Sequence, residues 1–143
     1  MGRAKTGVGK RPPCVPLALF LLSVYIVCTM GCIIHVDSSE FFRKMMKIFL
    51  TELGLESFDF ERGEDALPAL IGGNVSCLIT GLELPDMRGE ELIRKLDLEA
   101  FPMTVIAVTA SKDDARTGGL APLGVKGIIP KGGDWKEKLR EYF

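Results

Sequence analysis

The chain has 143 residues, a formal net charge of -1 and 47% apolar residues, enough for one domain with its own core. Arg3, Lys5, Lys10 and Arg11 supply four of the 18 basic residues, leaving 14 against 19 acidic ones in the remainder. A mildly acidic body argues against nucleic acid as a partner, because phosphate contact needs a clustered basic face. The four cysteines (Cys14, Cys28, Cys32, Cys77) lack paired metal-ligand spacing, which favours reduced core thiols over a zinc site or a disulfide scaffold.

In chain order, the first feature is an absence: no charged side chain occurs between Arg11 and Asp37. Basic residues ahead of an apolar run match the layout of a signal or signal-anchor sequence, and roughly 20 apolar residues span a bilayer. The end of the run, CIIHV, reads instead as the first strand of the domain that follows. Residues 15–30 are then the membrane candidate, short for a span at about 1.5 Å per residue. Cleavage of the lipoprotein type before Cys32 is disfavoured by Thr29, where an aliphatic residue is wanted. Two readings stand side by side. One is a membrane anchor or targeting segment with the domain facing the cytoplasm. The other is an over-extended start or a plain tail ahead of a cytoplasmic domain beginning near Met30. Either way the division falls between residues 1–31, a basic and apolar segment, and 32–143, the folded domain.

From Cys32 onward short β-rich runs alternate with helical patterns. SSEFFRKMMKIFLTELG carries Phe42, Met45, Met46, Phe49, Leu50 and Leu53 on one apolar stripe, with Ser38 or Ser39 to cap it and Gly54 to end it. SFDF is a short edge-type strand. EDALPALI is a helix weakened by Pro68 and closed by Gly72-Gly73. VSCLIT is an unbroken buried strand, EELIRKLDLEA returns to helical spacing, and TVIAVTA is a central strand covered on both faces. Ser111 with Asp114 gives a capping-box signature for a fourth helix, which Gly118, Gly119 and Pro122 weaken. VKGIIP is the last strand and DWKEKLREYF the last helix. Five β–α repeats predict an α/β fold, a doubly wound parallel sheet with right-handed crossovers.

In such sheets chemistry gathers just past the carboxyl ends of the strands. Those ends supply Asp37 and Ser38, then Thr80, Gly81, Leu82 and Glu83, then Thr109, and finally Lys131. An acid, a hydroxyl and a lysine in these places form a recognisable set. The blocks VDSSEFFRKM, LELPDMRGEEL, VIAVTA and GIIPK resemble, in order and spacing, the motifs of the CheY-like receiver domain of bacterial response regulators. The resemblance covers about Cys32 to Phe143 and implies a flavodoxin-like (βα)5 fold with strand order 2-1-3-4-5. It also implies a module of two-component phosphorelay signalling, in which a histidine kinase passes a phosphoryl group to an aspartate with the help of Mg²⁺.

Carried over residue by residue, Asp37 matches the first acidic position, while Ser38 stands at the second. Gly81 stands at the phosphoacceptor aspartate. Glu83 falls where a backbone carbonyl of the family binds the metal, Thr109 on the hydroxyl switch residue and Lys131 on the lysine. Pro85 and Gly89 keep the turn, but Gly132 replaces a proline and Ile128 an aromatic switch residue. Glycine has no nucleophile, and a neighbouring group out of line with the donor is a poor substitute. No catalytic residue and no cofactor are therefore expected, the chain is not expected to be an enzyme, and Mg²⁺ has at best a weak site through Asp37 and Glu83.

The physical expectation for Asp37 and Lys131 is an ion pair, direct or through water, with Glu83 as the competing partner. His35, the only histidine, is expected to be a hydrogen-bonded core residue, and Trp135 and Tyr142 either pack or form a partner face. The expected function is a phosphorylation-independent protein-interaction module of the receiver type. The resemblance implies that it meets a signalling protein, a histidine kinase or a downstream target, through the fourth helix, fifth strand and fifth helix. The alternatives are a receiver phosphorylated at a non-standard residue such as Glu83, and a membrane-tethered adaptor held through residues 15–30.

Overall fold

A computed structural model of the protein describes residues 31–72, 74–99, 102–110 and 118–143. Five strands, β1 (Cys32–Val36), β2 (Ser57–Phe60), β3 (Val75–Thr80), β4 (Thr104–Thr109) and β5 (Val125–Pro130), form one parallel sheet in the order β2-β1-β3-β4-β5. Three helices, α1 (Glu40–Glu52), α2 (Gly63–Gly72) and α3 (Gly89–Arg94), alternate with the first strands. A 3-10 turn (Ala121–Leu123) precedes β5, and a terminal helix (Trp135–Arg140) follows it. The apolar N-terminal run and the fourth helix expected from Ser111 and Asp114 lie outside the described residues. Among the described residues no helix is long and apolar enough to cross a membrane.

Alternation along the strands sends side chains to two buried layers. Ile33, Cys77, Ile79, Ile106, Val108 and Ile129 pack beneath α1 and the terminal helix. Ile34, Val36, Leu78 and Val105 pack beneath α2 and α3. Both covered faces explain why β1, β3 and β4 read as continuous apolar runs. The free thiols of Cys32 and Cys77 are core residues or partly so, and burial pushes Cys77 up to about 12, where a thiolate is absent at neutral pH.

Helix ends follow local chemistry. Ser39 caps α1 by accepting from Phe42 N at 3.2 Å, and Gly54, at φ 77°, takes the left-handed position that stops it. Helix α2 runs through Pro68, and its first two N–H groups are capped from elsewhere in the chain. The Asp86 carboxylate accepts from Gly63 N and Glu64 N, each at 2.9 Å. Helix α3 is shorter than the helical spacing to Ala100 suggested. The Asp97 side chain accepts from Glu99 N at 3.1 Å, a local turn that competes with further helix.

The order of the strands reverses around β1, which pairs with β2 on one side and β3 on the other. Val36 is level with Thr80, so the residues that follow, Asp37 and Gly81, are neighbours at the carboxyl edge. Gly81 N donates to Val36 O at 2.8 Å and fixes that juxtaposition.

Candidate functional site: a closed ion pair at the strand ends

Asp37 leaves β1 with its side chain almost wholly buried, 1% exposed. Its Oδ1 accepts from Ser39 N at 2.9 Å, and its carbonyl oxygen accepts from Arg43 Nη1 at 2.6 Å. Arg43 Nε also stands 3.9 Å from Asp59 Oδ2 on β2. The first turn of α1 is thereby tied to the end of β1 twice, once through a side chain and once through the backbone.

Lys131, immediately past β5, reaches across to the same carboxylate. Its Nζ lies 3.1 Å from Oδ1 and 2.9 Å from Oδ2. Only the Oδ1 contact has hydrogen-bond geometry, so the shorter Oδ2 contact is a charge contact alone. The ion pair is the direct one. The ammonium also sits 4.6 Å from the centre of the Phe42 ring, which meets Trp135 at a 54° tilt with ring centres 5.0 Å apart. Trp135 is core, buried against Phe42 and Phe49, and Tyr142 is partly exposed.

Gly81 is buried at the end of β3, and a Cβ built there would stand 3.2 Å from Asp37 Oδ2. That is tighter than ordinary van der Waals contact. A side chain at position 81 would require Asp37 to give way by a few tenths of an ångström. The Thr80 side chain turns the other way and donates to Gly81 O at 2.8 Å. A Cβ on Gly89 would collide with the Gly81 carbonyl oxygen, so the turn after β3 needs glycine there for close approach. Thr109 is buried at the end of β4, and its carbonyl accepts from Lys131 N at 2.9 Å. Ser38 is exposed. Glu83 is exposed too, its backbone bridged antiparallel to Arg88 in the loop.

Mg²⁺ demands near-octahedral oxygen ligands built on one or two free carboxylates. Here the buried Asp37 carboxylate is already paired with Lys131, Gly81 brings no oxygen from a side chain, and Ser38 brings at most a hydroxyl. Among the described residues no group of three histidine, cysteine or acidic side chains could hold a metal ion. The donor set does not fit the metal that the resemblance implies.

His35 corrects one expectation. It is a core residue, 1% exposed, but among the described residues neither ring nitrogen has a hydrogen-bond partner. Nε2 stands 4.0 Å from Asp37 Oδ2, and the ring meets Phe42 edge-on at 5.8 Å. Burial drives its pKa from 6.5 down to about 4, against the pull of Asp37 and Asp59, so the imidazole is neutral at neutral pH. Its place beside Asp37 was readable from alternation, since residues two apart share a face. The Arg43 clamp and the Asp86 cap were not readable, because each joins groups that only the packing of helix on sheet brings together.

Residues 33–142 match the model of the response regulator receiver domain, and the chain belongs to that family. Receiver domains are signalling modules of two-component systems that meet kinases and downstream targets. The chain is 31% identical over 117 residues to the chemotaxis protein CheY of Pseudomonas aeruginosa, covering 78% of this chain and 94% of that one. It is 30% identical over 117 residues to CheY-3 of Vibrio cholerae, covering 78% and 90%. CheY4 of Vibrio cholerae shares the fold at a TM-score of 0.71 and 19% identity, over 79% of this chain and 98% of that one. TrrA of Thermotoga maritima, solved with Mg²⁺ and BeF, superimposes with a TM-score of 0.67 at 26% identity, over 80% and 100%.

Proposed function

We propose that this chain is a receiver-type signalling module that works by binding and not by aspartyl phosphorylation. The observation that carries the reading is Gly81. It stands at the carboxyl end of β3, beside a buried Asp37 that is already held by Lys131. Phosphoryl transfer to a carboxylate depends on in-line placement, and small misplacement is costly. With no carboxylate at 81 and no fitting metal set, the strand-end cluster acts as a structural lock. Partners then select or shift its conformation in place of a phosphoryl group. The proposed output face is β5 with the terminal helix and the chain before β5, where Ile128 is exposed.

Intact-mass measurement tests this reading. The full chain is incubated with a small phosphodonor and Mg²⁺ beside Gly81→Asp. The expected result is no phosphoryl mass on the native sequence and a gain in the variant. Added mass on the native chain overturns the proposal, and its loss in Glu83→Gln would place the group on Glu83.

A further inference from the structure

The first turn of α2 is held by the loop that follows β3. Its N–H groups on Gly63 and Glu64 both donate to the Asp86 carboxylate, each at 2.9 Å. The next residue of that loop, Met87, lays its thioether on Gly63. The contact is so close that a Cβ on residue 63 would stand 2.7 Å from Met87 Sδ and 3.0 Å from its Cγ. Gly63 is buried under this contact, and Met87 is half-buried. The loop is braced within itself, since Glu83 and Arg88 are bridged antiparallel and Leu84 N donates to Met87 O at 3.1 Å. Asp86 and Met87 lie between the ends of that bridge, one supplying a carboxylate and the next an apolar contact.

Helix α2 is poorly equipped to hold this turn alone. Pro68 has no N–H, so the Glu64 carbonyl loses the partner that a regular helix provides. Glycine at 63 is a weak helix former and has no side chain to pack. The clasp of Asp86 and Met87 therefore carries much of the closure of the turn. A thioether is well suited to fill such an irregular contact, and it is also a group that oxidants convert from apolar to polar.

We propose that Met87 is an oxidation-sensitive latch, whose conversion to the sulfoxide releases the first turn of α2 from the loop after β3. The oxidant is a peroxide. As the S–O bond forms the O–O bond breaks, the sulfur is oxidised by two electrons and the peroxide is reduced. With hydrogen peroxide the second oxygen leaves as water, taking the proton of the transferred hydroxyl. The new sulfoxide oxygen has no room on the side where Gly63 lies, and it draws water into an apolar contact. Met87 then turns outward and takes the neighbouring Asp86 away from the Gly63 and Glu64 N–H groups. The same loop begins at Gly81, so the input arrives beside the strand-end cluster without a phosphoryl group. This inference goes beyond the reading of the chain as a binding module and does not depend on it.

The test treats the full chain with hydrogen peroxide, reads oxygen addition by peptide mass and reads opening of α2 by amide hydrogen exchange. Met87 should gain one oxygen, and exchange at Gly63 and Glu64 should rise by about fivefold or more, the scale of losing a helix cap. The Phe42 amide, capped by Ser39, should stay as it was. Met87→Leu keeps the apolar contact without an oxidisable sulfur, so the same treatment should leave its α2 exchange at the untreated level. Met87→Gln, polar and close in length to the sulfoxide, should show the raised exchange without peroxide. Methionine sulfoxide reductase should return the oxidised native chain to its starting exchange. Far-UV circular dichroism checks that both variants keep their fold. The inference is overturned if Met87 takes up no oxygen, or if its oxidation leaves Gly63 and Glu64 unchanged. Equal opening of Met87→Leu under peroxide also overturns it, and would put the effect on another sulfur such as half-buried Met45 or Met103. Phosphoryl uptake in the mass experiment above would leave this result standing.

Discussion

Replacing Lys131 with methionine removes the cation and keeps most of the side-chain volume. Asp37 would stay behind, 1% exposed, with one backbone N–H from Ser39 as its remaining polar contact at the carboxylate. Breaking a buried ion pair from one side costs about 3–5 kcal/mol, because the partner charge is left in a medium that solvates it poorly. The Lys131 side chain is 23% exposed, so water can reach the vacated end, and about 2–3 kcal/mol is the better figure. At about 4 °C per kcal/mol for a domain of this size, the melting temperature should fall by about 10 °C. Urea titration followed by the fluorescence of Trp135, the only tryptophan, reads the change directly. The double variant Lys131→Met/Asp37→Asn keeps an acceptor for Ser39 N and removes both charges, so it should recover most of the loss. A coupling of about 1.5 kcal/mol or more is expected from the cycle. A Lys131→Met chain within about 0.5 kcal/mol of the native one, or a cycle without coupling, would refute the structural role assigned to the pair.

The same logic extends to neighbouring positions. His35→Leu should raise stability at pH 7 by about 1–2 kcal/mol, since two unpartnered ring nitrogens leave the core. With a folded pKa of about 4 and an unfolded one near 6.5, the native chain should lose stability as pH falls from 6.5 towards 4, where the unfolded state binds the extra proton. His35→Leu should flatten that slope, and equal slopes in the two chains would count against a buried neutral imidazole. Asp86→Ala should cost about 1 kcal/mol in urea melts by uncapping α2. Partial burial works the other way, but the N–H groups of Glu64 and Gly63 hold the Asp86 carboxyl below its ordinary pKa, so the cap should weaken as pH falls through that lowered value. Gly81→Asp should melt lower than the native chain without divalent cation, because its Cβ crowds Asp37 and a second carboxylate repels the first. Millimolar Mg²⁺ should recover part of that loss in the variant and leave the native chain unchanged.

Much of the fold was legible because the signal was repeated. Three apolar strands without alternation could only be central strands of a parallel sheet, and the amphipathic spacing of Phe42 to Leu53 could only cover one side of it. The strand-end set followed from topology, since parallel strands deliver Asp37, Gly81, Thr109 and Lys131 to one edge whatever their separation in sequence. What sequence could not supply was partnership. Spacing left Lys131 a choice between Asp37 and Glu83, and the choice turns on loop geometry that places Glu83 outside and Asp37 within reach. His35 looked like a satisfied core histidine because buried polar groups nearly always find partners. Its neighbours are an aromatic edge and a carboxylate oxygen too far for a hydrogen bond.

The cluster also suits the proposed reading of a receiver scaffold that works without a carboxylate at position 81. Gly89 must stay glycine to let the turn close over the Gly81 carbonyl, Asp86 must stay acidic to cap α2, and Asp37 must stay to satisfy Ser39, Lys131 and, through its carbonyl, Arg43. Each of these serves folding whether or not residue 81 carries a carboxylate. Gly81 is the exception, for nothing in the local backbone calls for glycine: its φ is not positive, and its neighbour is a side chain, not a wall of backbone. Glycine there relieves the crowding of Asp37 and frees the carboxylate for Lys131. On the proposed reading, glycine at 81 also keeps a like-charge contact out of the site. Exchange of reactivity for a fixed conformation is what a module that only binds would gain.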